Sequence, residues 1–481
     1  MSQPSPHRWR ALGIIALAQF MVIMDTSIIG VALPKMGADL GFGPADLSWV
    51  FNAYVVAFGG LLLLGGKLSD VFGARRLFLI GFGILTGASI LAGAAQTPGV
   101  EIAARALQGA GAAFIAPTSL AMLMQLFHHD PRELTKALAL YGAAAPAGGT
   151  AGVFLGGVLT EALSWPWVFY VNVPVGLLVL ALSPRWLPAG GRTRGRIDVA
   201  GAVTITGSLS LLVFGVVRGP EVGWDHSSVV GSLVAGAVLL GAFVLIQQVR
   251  REPLMPLGIF RTPNLAAANV AMALLGAAWV PMWFFLNLYL QQVLGYKPFA
   301  SGAALLPMTF AMMVLMVGVT EKVAGRLGFR TTLASGLVVL AAGLGVLSSV
   351  SAGGSFVDDV LFGSLVAAVG MSLAYIPAMF AAMANAKPSD AGLASGIVNT
   401  TYQIGSALGL AAMTAVATSN GADQLGNPAA LVDGYSSAFV GAAVIAVAGA
   451  AVAALFLRRP QAQPAAADSA DNPTGQRTAA A

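Results

Sequence analysis

Of the 481 residues, 57% are hydrophobic and 9% are charged, with a mean hydropathy of +0.80. Soluble domains carry about 25% charged residues, so the composition describes a polytopic membrane protein and excludes an ordinary soluble globule. The net charge of +5 does not mark a nucleic-acid binder, because the basic residues sort by loop. The absence of cysteine excludes disulfides, thiolate metal sites and thiol catalysis. The opening MSQPSPHRWR is basic. The apolar run behind it is too long for a signal-peptide core and shows no small-residue cleavage site, so a retained first span is expected.

Hydropathy predicts fourteen spans in an all-α chain. The first eight are Ala11–Leu33, Ser48–Leu68, Leu77–Ala95, Val100–Phe127, Ala137–Leu159, Trp167–Leu187, Val199–Val217 and Val229–Val249. The last six are Leu265–Leu290, Ser301–Val319, Thr331–Val350, Val360–Met383, Ala391–Ala417 and Ala438–Leu457. With the N-terminus in the cytoplasm, the 25 Lys and Arg all fall inside except Lys35, Arg218 and Lys297, which fall outside, and Arg105, which lies within a span. One missed span would scramble this sorting. An even number of spans with both termini cytoplasmic is therefore expected. The tail 459–481, rich in Pro, Ala and Gln, is expected to be disordered.

The chain also repeats itself. Lys67-Leu68-Ser69-Asp70-Val71-Phe72-Gly73-Ala74-Arg75 follows the second span. Lys322-Val323-Ala324-Gly325-Arg326-Leu327-Gly328-Phe329-Arg330 follows the tenth, with lysine, glycine and arginine in register and Asp70 replaced by Gly325. Spans 1–6 then correspond to spans 9–14. The expected division is an N-terminal six-span half (1–190), an inserted pair (191–250) and a C-terminal six-span half (251–458). Two halves related by a repeat, with a substrate site between them near mid-membrane, are a common plan of secondary transporters.

Asp25 is the only ionisable residue of the first span. A charge at that depth costs at least about 2.5–3.5 kcal/mol, so such a residue faces a cavity or a partner inside the bundle. Desolvation raises a carboxylate pKa and a nearby cation lowers it, and an acid poised between the two can load and release a proton. The alternative is a structural hydrogen bond between helices. Arg105 is the one cation inside a span and needs an acid or carbonyls; Asp25, or Glu101 one turn away, can serve. In the fifth span Gly148, Gly152 and Gly156 recur every fourth residue, a face suited to close helix packing. Gly73 permits a tight turn between spans 2 and 3. Asp70 suits a helix N-terminus or a neighbouring arginine, and Arg75 and Arg76 hold the loop in the cytoplasm, a charge cluster able to latch one conformation.

The loop Gly66-Lys67-Leu68-Ser69-Asp70-Val71-Phe72-Gly73-Ala74-Arg75-Arg76 resembles the signature of the major facilitator superfamily. Asp25-Thr26-Ser27-Ile28-Ile29-Gly30-Val31-Ala32-Leu33-Pro34 resembles the first-span motif of its fourteen-span drug:proton antiporters. Arg105-Ala106-Leu107-Gln108-Gly109, Phe169-Tyr170-Val171-Asn172-Val173-Pro174, Glu252-Pro253-Leu254-Met255-Pro256-Leu257, and Gly392, Ser395-Gly396 and Asn399 to Gln403 match the same group. The resemblance implies a major facilitator fold, proton-coupled efflux of antibiotics or other toxicants, and a role for Arg105 in proton transfer. Two departures stand out. Val153 follows Gly152 where the exporters usually have a proline, and Pro166 stands where an arginine is usual.

A substrate cavity needs apolar walls with a few polar groups. Asn52, Gln108, Trp279, Trp283, Asn399 and Gln403 are the candidates; Trp279/Trp283 and Asn399/Gln403 are i,i+4 pairs that share helix faces. Leu61 and Leu68 stand where a P-loop needs Gly and Ser/Thr, which argues against direct ATP drive. The four histidines lie in loops or tails, and no catalytic triad or metal-ligand cluster is visible. The chain is thus expected to be no enzyme, to use no cofactor or metal, to draw on the proton gradient, and to work as a monomer in the lipid bilayer of the bacterial cytoplasmic membrane. Export of an endogenous metabolite or lipid is the rival reading within transport, and a non-transporting sensor is the rival outside it.

Overall fold

A computed structural model of the chain describes residues 7–43, 46–127, 130–188, 198–383 and 391–458. The basic stretch 189–197, Lys387 and the tail 459–481 lie outside the described residues. In lipid a chain must satisfy its backbone internally, and helices do so segment by segment. The long helices are α1 (Arg8–Leu40), α2 (Trp49–Phe72), α3 (Ala74–Gly93), α4 (Pro98–Phe127), α5 (Pro131–Ala162), α6 (Asn172–Trp186) and α7 (Val199–Val222). They continue with α8 (Ser227–Val249), α9 (Leu265–Leu288), α10 (Pro298–Gly318), α11 (Phe329–Leu347), α12 (Phe362–Met383), α13 (Ala391–Ala417) and α14 (Pro428–Phe456).

Among the described residues, 13 helices are long and apolar enough to cross a membrane. The long helix outside that set is α13, whose 27 residues include Asn399, Thr400, Thr401, Gln403 and Ser406. Several boundaries differ from the hydropathy reading: α1 runs on to Leu40 and takes in Lys35, α5 starts at Pro131, and α7 runs on to Val222 and takes in Arg218. The sixth span is broken at Val171, where one turn (Trp167–Tyr170) gives way to α6. A short helix, Thr320–Leu327, prolongs the tenth span beyond a break at Val319. The last helix starts at Pro428, well before Ala438, with Asn427 accepting from the Ala430 N–H as its cap.

The helices pack in two matching sets. α1 lies on α5 as α9 lies on α13, α2 on α4 as α10 on α12, and α3 on α6 as α11 on α14. Between the sets α2 meets α13 and α5 meets α10. The helices α7 and α8 pack on each other, and α7 also lies against α2 and α13.

The repeated loops share a backbone. Gly73 ends α2 at φ 91, ψ 135, and Gly328 precedes α11 at φ 78, ψ 155. Both positions favour glycine because a β-carbon is strained there. Arg75 donates to the carbonyls of Pro184 and Leu187 at 3.1 Å each, at the end of α6. Arg330 donates to the carbonyl of Ala454, at the end of α14. Each loop arginine thus closes the exposed carbonyls of the last helix in its set.

Candidate functional site

Asp25 is positioned by the packing of α1 on α5. A β-carbon on Gly152 would stand 2.8 Å from the Met24 carbonyl oxygen, and one on Gly156 would stand 2.6 Å from that of Ile28. One on Gly148 would collide with the Phe20 carbonyl. Three glycines at i,i+4 spacing therefore let α5 lie directly on the backbone turns that flank Asp25.

From there the carboxylate faces α4 and α6. Arg105 of α4 donates from Nη1 to Asp25 Oδ2 at 2.9 Å and to Gln108 Oε1 at 2.7 Å. Its Nε donates to the Val50 carbonyl of α2 at 3.0 Å. Gln108 Nε2 donates to Asp25 Oδ1 at 3.0 Å and to Ser89 Oγ of α3 at 2.8 Å. Asn172, the first residue of α6, donates from Nδ2 to Asp25 Oδ1 at 2.5 Å. Asp25, Arg105, Gln108, Ser89 and Asn172 are all fully buried. The guanidinium carbon sits 4.6 Å from the centre of the Tyr54 ring and 5.9 Å from that of Phe169, within cation–π range.

This is a buried ion pair whose acid accepts three hydrogen bonds. Removing one partner of such a pair leaves an uncompensated charge, at a cost of about 3–5 kcal/mol. Besides Asp25, Arg105 holds the Val50 carbonyl, the Gln108 amide oxygen and two aromatic faces.

The structure brings Asp25 and Arg105 together and leaves Glu101 outside the ion pair. Gln108, expected on a cavity wall, is engaged in the cluster at both ends of its amide. Asn52 is fully buried, and neither of its amide atoms has a partner. Trp279 is buried, while Trp283 is partly exposed and lies against α1 at Gly30. Gln403 packs on Gly59 where α13 crosses α2. Asn399 accepts from the Tyr375 hydroxyl at 3.5 Å, and Tyr375 meets Tyr402 edge-on at 5.5 Å. Gln19, Tyr141, Tyr375, Asn399, Tyr402 and Gln403 are all partly exposed within the bundle. Asp70 and Arg76 are exposed, whereas Gly73 is buried and Arg75 is half-buried over the α6 carbonyls. Nearby, Lys67 pairs with Glu252 at 3.3 Å.

Asn172, Ser89 and Tyr54 were not among the expected site residues. Asn172 lies in the motif Phe169-Tyr170-Val171-Asn172-Val173-Pro174, but a neutral amide carries no charge signal.

At the end of the bundle away from Arg8 and Arg458, the two sets of helices touch. Gln291 of the turn after α9 donates to the Val31 carbonyl at 3.0 Å, and Phe51 meets Phe284 edge-on at 5.9 Å. A β-carbon on Gly30 would lie 2.9 Å from Asn287 Nδ2. Beyond this seal lies a cavity of about 600 Å³, lined by Phe42, Phe284, Phe285, Thr414, Leu431 and Tyr435 among others.

Membrane-crossing helices in two matching sets, with a buried charge cluster inside one of them, are the plan of a multi-pass membrane transporter. Residues 15–410 and 319–478 match the model of the Major Facilitator Superfamily, and the chain belongs to that family. It is 42% identical to a cephamycin export protein of Amycolatopsis lactamdurans, covering 91% of this chain and 90% of the relative. It is 37% identical to a puromycin resistance protein of Streptomyces alboniger, covering 92% and 89%. Among solved structures, an auto-inhibited peptide transporter of the POT family shares the fold. Its TM-score is 0.69 at 15% identity, with 95% of this chain and 99% of that one covered.

Proposed function

We propose that the chain exports antibiotics or other small organic toxicants across the bacterial plasma membrane in exchange for protons. Export is supported by the 42% identity to a cephamycin exporter over nearly the full length. Proton coupling is supported by one observation above the rest: Asp25 and Arg105 form a fully buried pair whose acid can be neutralised while the base keeps other partners.

In this reading both termini are cytoplasmic, the sealed end is the outer face, and a single chain suffices. Residues 1–190 and 251–458 are two halves that rock about the substrate, with 191–250 an inserted pair. Asp25, open to the outside, takes a proton as drug leaves. The halves rock, the proton escapes inward past Arg105, and new drug binds from the cytoplasmic side. Asn52, Trp279, Trp283, Asn399 and Gln403 contribute to the substrate walls, and Gln108 ties that region to the proton cluster. Asp70, Gly73, Arg75 and Arg76 form the latch. Each charge moving down the potential supplies about 2.3 kcal/mol per 100 mV, and no cofactor is needed.

The test is puromycin and cephamycin uptake into inverted vesicles under a pH gradient alone, for the wild type and Asp25→Asn. Uptake by the wild type and none by the variant is expected. Accumulation by Asp25→Asn equal to that of the wild type would overturn the coupling role.

A further inference from the structure

Glu101 is left unexplained by that cycle. It lies one turn from Arg105 on α4, is fully buried, and neither carboxyl oxygen has a hydrogen-bond partner. Arg105 has a matching vacancy: Nη1 and Nε are engaged, while Nη2 is buried without a partner. Acid four residues before base on one helix is the favoured order for a side-chain pair.

Asp25 on α1 and Arg105 on its own helix lie within the electrostatic reach of Glu101. α2 presents Tyr54, whose ring lies under the Arg105 guanidinium, and the turn before α6 brings the Tyr170 ring onto Gly93 at the outer end of α3. Farther out on α1, Lys35 is turned to the Thr160 carbonyl at 3.0 Å and Asp39 to Trp165 Nε1 at 2.8 Å.

We propose that Glu101 is the alternate partner of Arg105. It carries the proton while Asp25 is ionised, and it takes the guanidinium when Asp25 is protonated. A buried carboxyl without donors is stable as the neutral acid, which fits the state described, in which Arg105 is committed to Asp25. In the exchange Asp25 binds the proton that enters from outside, and the proton on Glu101 leaves to water. The Nη1–Asp25 contact opens, and an Nη2–Glu101 contact closes. No electrons are transferred, and one positive and one negative charge remain before and after. Arg105 is thus never an unpaired buried cation. The inference rests on the proton-coupling role of Asp25 for its use in transport, but the charge exchange itself can be measured without transport.

The measurement is the infrared carbonyl stretch of protonated carboxyl groups in the purified, reconstituted full-length protein at neutral pH. The wild type is expected to show a buried protonated carboxyl. Glu101→Gln removes that band, and Glu101→Asp shifts it, which keeps the test open if the Gln variant does not fold. The decisive variant is Asp25→Asn. With Asp25 neutral, Glu101 ionises to pair with Arg105, and the band is lost although Glu101 is still present. A band that persists in Asp25→Asn, or in folded Glu101→Gln, overturns the proposal. Failure of the proton-coupling reading is seen separately, as undiminished gradient-driven uptake by Asp25→Asn, and leaves the infrared result unaffected.

Discussion

The missing side chain of Gly152 is what lets α5 sit on the carbonyl of Met24, since a β-carbon there would lie 2.8 Å from that oxygen. Met24 immediately precedes Asp25, so a substitution on α5 reaches the charge cluster through the backbone. Gly152→Ala and Gly156→Ala are expected to cost about 1–3 kcal/mol by overpacking and to reduce transport sharply. Gly142→Ala is the control. Gly142 lies in the same helix with nothing within 4 Å of a β-carbon, and it should gain about 0.5–1 kcal/mol from helix propensity. Thermal unfolding in detergent, paired with vesicle uptake, separates the two classes. A deleterious Gly142→Ala together with harmless Gly152→Ala would refute the packing argument.

Arg105 and Asp25 should not be equivalent under substitution. Arg105→Ala strands a buried carboxylate that keeps only the Gln108 and Asn172 amides, and a loss of about 3–5 kcal/mol is expected. Asp25→Asn should cost less, because Glu101 stands ready as a second acid for the guanidinium. Asp25→Asn together with Arg105→Gln removes both charges and should recover much of the stability, while transport stays abolished. The unfolding temperatures of the three variants, compared as a cycle, give the coupling.

Much of this cluster was legible in the sequence, and its limits have physical causes. A lone acid and a lone base inside apolar spans must find partners, so the pairing of Asp25 with Arg105 was foreseeable, with Glu101 as the competing acid. Gln108 lies three residues from Arg105 on the same helical face, yet its sequence position suits a cavity wall equally well, because an uncharged amide does not announce which polar group it will meet. Asn172 was harder still. Its approach to Asp25 depends on how α6 packs against α1, and no periodicity encodes a contact between α1 and α6. The fold was nearly complete in hydropathy and charge sorting. α13 carries Asn399, Thr400, Thr401 and Gln403 along its middle, and the hydropathy reading still places its span at Ala391–Ala417.

The paired arginines of the repeated loops give a symmetric prediction. Arg75→Ala frees the carbonyls of Pro184 and Leu187, and Arg330→Ala frees that of Ala454. Each variant should lose about 1 kcal/mol, since these are charged hydrogen bonds at partly exposed sites, and each should raise amide exchange at the end of α6 or α14 alone. Lys67→Ala removes a partly exposed pair with Glu252 and a neighbouring charge from Asp70, and a change under about 1 kcal/mol is expected. Exchange measured by mass spectrometry locates the effect, and protection unchanged at both helix ends would show that the arginines do not cap them.

The cavity beyond the seal offers a test of where substrate leaves. Its wall is mostly apolar, with the Thr414 hydroxyl buried and unpartnered and the Tyr435 hydroxyl donating to Gln292 Oε1 at 2.5 Å. Tyr435→Phe leaves that amide oxygen unpaired and should cost about 1–3 kcal/mol in stability. Thr414→Phe instead fills space and removes an unsatisfied hydroxyl, so the fold should tolerate it. If the exported molecule passes through this cavity, Thr414→Phe slows vesicle uptake while leaving its binding from the cytoplasmic side intact. Equal slowing of uptake and binding would place the effect deeper in the bundle, and no slowing would exclude the cavity from the exit route.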